Sequence, residues 1–300
     1  MRLKRLLAIL AILLAAGAAW ARPPSQGFTR VLPGPDGKPY LLETSITRYA
    51  SSKGYTVDLV AVVHVGEGAY YEQLNQELTQ YDAVLYEMVL GEDPRVKKRK
   101  EIAAMIGQRY EPPPPEISAD PSGSETSVVQ ARLASLLGLE FQLGWVDYTA
   151  PNFVHADMTD EEFRKSMKQR GESPTAMLLK LIQDSFSSSS DVDDSELARV
   201  NLLRVITRGP TQEERYILRR VMAQGVGQMD REEGPDGSTL ISARNQKALQ
   251  VMEQQLKKGK KRLAIFYGAG HMPDFDRRLV EDYRMKREYQ RWLTAWRLQP

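Results

Sequence analysis

Residues 57–89 read VDLVAVVHVGEGAYYEQLNQELTQYDAVLYEMV, and the fold turns on how they are parsed. Val57–Val63 and Ala83–Val89 are short β-branched apolar runs, as expected of strands buried on both faces. Residues 68–79 between them read as a helix. A strand, helix, strand unit places its two strands parallel, so both C-terminal ends fall on one edge of the sheet.

The pattern returns in the last third of the chain. A helix is expected over 240–258 and a strand over 263–267; then come Gly268-Ala-Gly-His271 and a helix near 275–283. Residues 289–296 alternate loosely and suit a closing edge strand. Between the two ends, about 94–225 reads as a helical cap or insertion. Thr159-Asp-Glu-Glu162 and Thr211-Gln-Glu-Glu214 fit capping boxes that open helices, and Gln142–Asp147 suits a short strand. Residues 111–127 are rich in proline and serine and 187–195 in serine and aspartate, so both read as loops. The acidic residues of the second loop lack the spacing of a calcium site. The expectation is one α/β domain over 22–300, with a central, mainly parallel sheet flanked by helices.

The N-terminus reads as a secretory signal over 1–21. Arg2, Lys4 and Arg5 form a basic head, 6–16 an apolar run, and Ala19-Trp20-Ala21 a small-residue cleavage site. The uncharged stretch 6–21 is shorter than the roughly 20 residues of a membrane-spanning helix. The chain is therefore expected to be exported, periplasmic or extracellular, and to meet a membrane only if the signal stays uncleaved.

Cleavage would leave 38 basic against 39 acidic side chains. That balance offers no long-range pull on phosphate polymers, so nucleic acid is not an expected partner. The basic run 95–100 reads as a solvated helix face. The sequence has no cysteine, which excludes disulfides, cysteine-ligated zinc, iron–sulfur clusters and thiol nucleophiles. No G-x-S-x-G serine elbow is present either.

Two of the three histidines share a context: AVVH at 61–64 and GAGH at 268–271 each follow an apolar strand and precede a helix. Loops at the C-terminal ends of parallel strands form the ligand crevice of an open α/β sheet. His64 and His271 are thus expected to meet there, with Glu87 on the same edge. A carboxylate in such an apolar run needs a cation. Two imidazoles and a carboxylate suit a divalent metal, whose bound water becomes available as hydroxide near neutrality. Gly268 and Gly270 would let backbone approach the ion or substrate. His155 and Asp157, two apart, would share a face if extended and could add metal ligands. Glu67 is a candidate general base.

The segments AVVHVGEGAYYEQL, YDAVLYEM, ISARNQKAL, IFYGAGHMPDFDRRL and QRWLTAW resemble the TraB/GumN family, which is related to the PrgY and Tiki proteins. The likeness covers both ends of the mature chain. It implies an α/β core with a metal-dependent hydrolase site, Tiki-type relatives being manganese- or cobalt-dependent peptidases; zinc is the further candidate. By that resemblance His64 closes the first motif, Glu87 is the carboxylate, Arg244 and Asn245 form an arginine–asparagine pair, and His271 closes the second motif. Arg244 would steady an oxyanion or pin Glu87, and Asn245 would orient its neighbours. Ala61 departs from the pattern, standing where the first motif has glycine. The expected substrate is a peptide or a small amide or ester. The rival readings are a binding protein that sequesters a peptide, haem or metal in the same crevice, and a membrane-tethered interaction protein.

Overall fold

The computed structural model describes residues 27–89, 133–170, 199–200, 204–205, 208–226 and 239–300. The expected signal segment, the basic run 95–100, and the loops expected at 111–127 and 187–195 lie outside the described residues.

A seven-stranded mixed sheet organises the chain. Its parallel core runs β3 (Thr56–Val62), β8 (Arg262–Gly268), β5 (Ala83–Tyr86), β7 (Phe153–His155). The antiparallel part is built on β2 (Pro39–Ala50), which pairs with β1 (Thr29–Pro33), β3 and β9 (Lys286–Arg297). A separate two-stranded ladder joins β4 (Val65–Gly66) to β6 (Glu140–Phe141).

Successive residues of a strand point to opposite faces, and the core divides accordingly. Val60, Val62, Val84, Tyr86, Ala264 and Phe266 face a cluster closed by Tyr70, Tyr71, Leu74 and Leu78 of α1 (Gly68–Leu78). Their neighbours Leu59, Ala61, Leu85, Ile265 and Tyr267 face the other cluster, with Ala248 and Met252 of α4 (Arg244–Lys257) and Phe275 and Leu279 of α5 (Met272–Glu281). Burial on both faces explains why the inner strands show apolar runs and no alternation. Each fully buried Leu, Ile, Val or Phe contributes about 1.5–3 kcal/mol.

The α/β architecture with a mainly parallel core and flanking helices matches the reading of the sequence. Both capping boxes form. Thr159 and Glu162 exchange backbone-to-side-chain bonds of 2.8 and 3.1 Å at the start of α2 (Asp160–Arg170), and Thr211 and Glu214 do so at 2.8 and 3.3 Å ahead of α3 (Gln212–Val226). Among the described residues no helix is long and apolar enough to cross a membrane.

Four details differ. The strand expected over 83–89 stops at Tyr86, so Glu87 lies just past it. The stretch 94–225 is not wholly a cap, because it supplies β7 to the parallel core. Gln142–Gly144 is a 3-10 turn, the strand being Glu140–Phe141 just before it. The β1–β2 pair had no counterpart in the reading of the sequence. The apolar alternation of β2 is masked by Thr44, Ser45 and Thr47, all fully buried: Thr44 hydrogen-bonds the Tyr70 hydroxyl at 2.9 Å and Ser45 meets Thr47 at 3.4 Å.

Candidate functional site

Each strand of the parallel core delivers one polar side chain just past its C-terminal end: His64 after β3, His271 after β8, Glu87 after β5 and Asp157 after β7. The register β3, β8, β5, β7 sets these ends side by side, which is why residues so far apart in sequence meet.

The segment carrying His64 is anchored by three successive carbonyls. Tyr71 Oη donates to Val63 at 2.9 Å, the Gln142 backbone N–H to His64 at 2.9 Å, and the Trp296 indole N–H to Val65 at 2.5 Å. The His64 ring sets Nδ1 3.0 Å from Gln142 Oε1, while Gln142 Nε2 donates to the Tyr148 hydroxyl at 2.7 Å. His271, 6% exposed, lies in the 3-10 turn between β8 and α5, edge-on to the Tyr267 ring at 5.1 Å. Its Nδ1 is 2.6 Å from Asn245 Oδ1. The Asn245 amide nitrogen donates to the His271 carbonyl at 3.0 Å and to Asp274 at 2.9 Å. With both of those partners acceptors, Asn245 Oδ1 faces the ring and accepts from His271 Nδ1–H.

Glu87 lies just beyond β5. One oxygen accepts from Arg244 Nη2 at 2.7 Å and the other from the Gly268 backbone N–H at 2.7 Å, and His271 Nε2 is 3.4 Å from the first. Burial opposes ionisation, but the Arg244 guanidinium outweighs it and holds the Glu87 carboxyl well below the usual range. Arg244, the first residue of α4, follows a π-helical stretch at Thr239–Ala243. It also donates from Nε and Nη2 to the two oxygens of Asp157 at 2.9 and 2.6 Å. Arg244 therefore pins Glu87.

Gly268 leaves the space the three side chains share. A Cβ there would stand 3.2 Å from Glu87 Oε2, 3.6 Å from His64 Nε2 and 3.8 Å from His271 Cδ2. Gly270 does not line this space, since a Cβ on it would meet only Ile241, at an ordinary 3.8 Å. Ala61 is fully buried, its methyl in the apolar cluster with Leu59, Ile265 and Met272, so the departure from glycine falls in the core.

The structure brings His64, Glu87, His271, Arg244 and Asn245 together. Asp157 joins them through Arg244 and not as a ligand beside the imidazoles. His155 is turned elsewhere, with Nε2 on the Met88 carbonyl at 2.6 Å and its ring against Tyr86. Glu67 accepts the Arg297 backbone N–H at 2.8 Å and so points toward the end of β9. Gln142 and Tyr148 carry no signal in the sequence, because nothing local in QLGWVDY marks a buried amide meeting a histidine from another loop.

His64, His271 and Glu87 suit a divalent cation in donor chemistry, and an imidazole whose Nδ1–H is held by an oxygen acceptor is the form that offers Nε2 to a metal. As they stand, no group of three or more His, Asp or Glu side chains among the described residues is arranged to hold a metal ion. No protein family, curated protein or solved structure matches the chain.

Proposed function

We propose that this chain is an exported, metal-dependent hydrolase of the TraB/GumN type, acting on a peptide or a related amide or ester, with His64, His271 and Glu87 as the metal-binding set. The observation that carries the reading is the shared space beside Gly268, onto which both Nε2 edges and an ionised carboxylate open. A divalent ion of the manganese, cobalt or zinc kind would supply Lewis acidity and an activated water there. Asn245 fixes the His271 ring. Asp157 fixes Arg244, and Arg244 keeps Glu87 charged and in place while setting a positive charge beside the site, where an anionic oxygen would form. The bare Gly268 leaves room for substrate.

The test uses purified protein stripped of metal and resupplied with manganese, cobalt or zinc, assayed on a broad peptide and ester panel beside His271→Ala. Metal-dependent cleavage by wild type, absent from the variant, is the expected result. A wild type that cleaves nothing under any metal would overturn it.

A second reading, a non-catalytic binding protein using the same crevice, draws on one observation. The Arg244–Glu87 ion pair already compensates the carboxylate without any added cation. In that case the panel stays silent while a ligand still protects the fold.

A further inference from the structure

His64 and His271 are gripped in the same way, each placing Nδ1 against a carboxamide oxygen: Gln142 Oε1 at 3.0 Å and Asn245 Oδ1 at 2.6 Å. We infer that Gln142 is the positioning residue of His64, accepting its Nδ1–H so that the Nε2 lone pair faces the space between Glu87 and Gly268. The purpose of this arrangement rests on the hydrolase reading; the arrangement itself is tested without it.

Four observations support the assignment. Gln142 holds the same residue twice, its backbone N–H on the His64 carbonyl at 2.9 Å and its side chain on the ring. It is 5% exposed, so its amide is confined. Its Nε2 donates to the Tyr148 hydroxyl at 2.7 Å, with Oε1 on the imidazole side. Among the described residues the hydrogen-bonded ring nitrogen of His64 is Nδ1, whereas Nε2 lies 3.6 Å from where a Cβ on Gly268 would be. A proton on Nδ1 has an acceptor waiting, and a bare Nε2 is what a cation would need.

The opposite state is well defined. A hydroxyl can donate as well as accept, so a Gln142 amide turned over would take its oxygen to Tyr148 and its NH2 to His64, forcing the proton onto Nε2. Asn245 has no such freedom, because its amide nitrogen faces a carbonyl and a carboxylate, both acceptors. The two histidines therefore differ in how firmly their tautomers are set, and His64 is the informative one.

Ring-nitrogen NMR on the 15N-labelled, metal-free full chain decides this. The three histidines are separable by His→Gln variants, and spectra are recorded about two units above the ordinary imidazole pKa of about 6.5. The expected wild-type signature is a protonated Nδ1 and an unprotonated Nε2 at His64. Gln142→Glu keeps an acceptor in place and should retain that signature. Gln142→Leu removes it and should move the proton largely to Nε2. A wild type already protonated at Nε2, or a Gln142→Leu protein with an unchanged tautomer, would overturn the assignment; should the leucine variant not fold, the wild-type and glutamate spectra still decide. Manganese titration adds a second reading, a 10–100-fold weaker affinity in Gln142→Leu and a smaller loss in Gln142→Glu. Were wild type to bind no manganese, cobalt or zinc, the hydrolase reading would fall while the tautomer result stood.

Discussion

Arg244 and Asp157 face each other through two hydrogen bonds of 2.9 and 2.6 Å, with the Asp157 side chain wholly buried. This two-pronged clamp fixes the plane of the guanidinium, and the same Nη2 reaches Glu87. Asp157→Ala would leave a buried cation with part of its compensation gone. Losing one partner of a buried pair costs about 3–5 kcal/mol. Urea unfolding should show a loss of that order, whereas a change below about 1 kcal/mol would mean that Asp157 does not hold Arg244.

The two glycines of the second motif should part company on substitution. Gly268→Ala sets a methyl 3.2 Å from a Glu87 oxygen that already accepts the Gly268 N–H at 2.7 Å, so the carboxylate must shift. A misplacement of about 1 Å can cost about 10²-fold in rate, and the hydrolysis proposed above should fall at least roughly tenfold with the fold intact by circular dichroism. Gly270→Ala meets only Ile241 at 3.8 Å and should stay within about 0.5 kcal/mol and near full activity. Equal losses in both variants would count against Gly268 as the wall of the site.

Asn245→Ala removes the acceptor that holds the His271 Nδ1–H. Partners of this kind are worth about 10–100-fold in metal affinity, and manganese titration should show that loss. Asn245→Asp keeps an acceptor at the ring and should recover part of it. Indistinguishable affinities in wild type and Asn245→Ala would remove Asn245 from the site.

One acid-sensitive contact lies at the opposite edge of the sheet. The backbone N–H groups of Lys261 and Arg262 donate to Asp82 at 2.9 and 3.0 Å and hold its carboxyl below the usual range. A carboxyl whose folded pKa is depressed adds stability above its unfolded value, about 3.9, and that addition is lost as pH falls through the folded value. Wild type should therefore be more stable than Asp82→Asn at pH 7, with the gap narrowing below about pH 4. Urea midpoints at the two pH values check this; a gap that widened in acid would contradict it.

What the sequence reveals and conceals follows the range of the interactions. The parallel strands are legible because double-sided burial writes continuous apolar runs, and His64 and His271 because both sit where such runs stop. Thr159 and Thr211 are legible as caps because their partners lie three residues away. Asp157 reads as half of a pair with His155, whereas its partner, Arg244, lies 87 residues away at the start of a helix. Gln142 carries no local mark at all. The β2 strand was hidden because Thr44 and Ser45, polar by type, are buried with hydrogen bonds made.

The place of β8 between β3 and β5 has a consequence for how the chain is made. Those two strands flank a gap that stays empty until residues 262–268 have been synthesised, so the early product carries two unsatisfied strand edges at once. A nascent chain in that condition is prone to misassociate. Closure of the parallel core therefore waits for the final third of the chain.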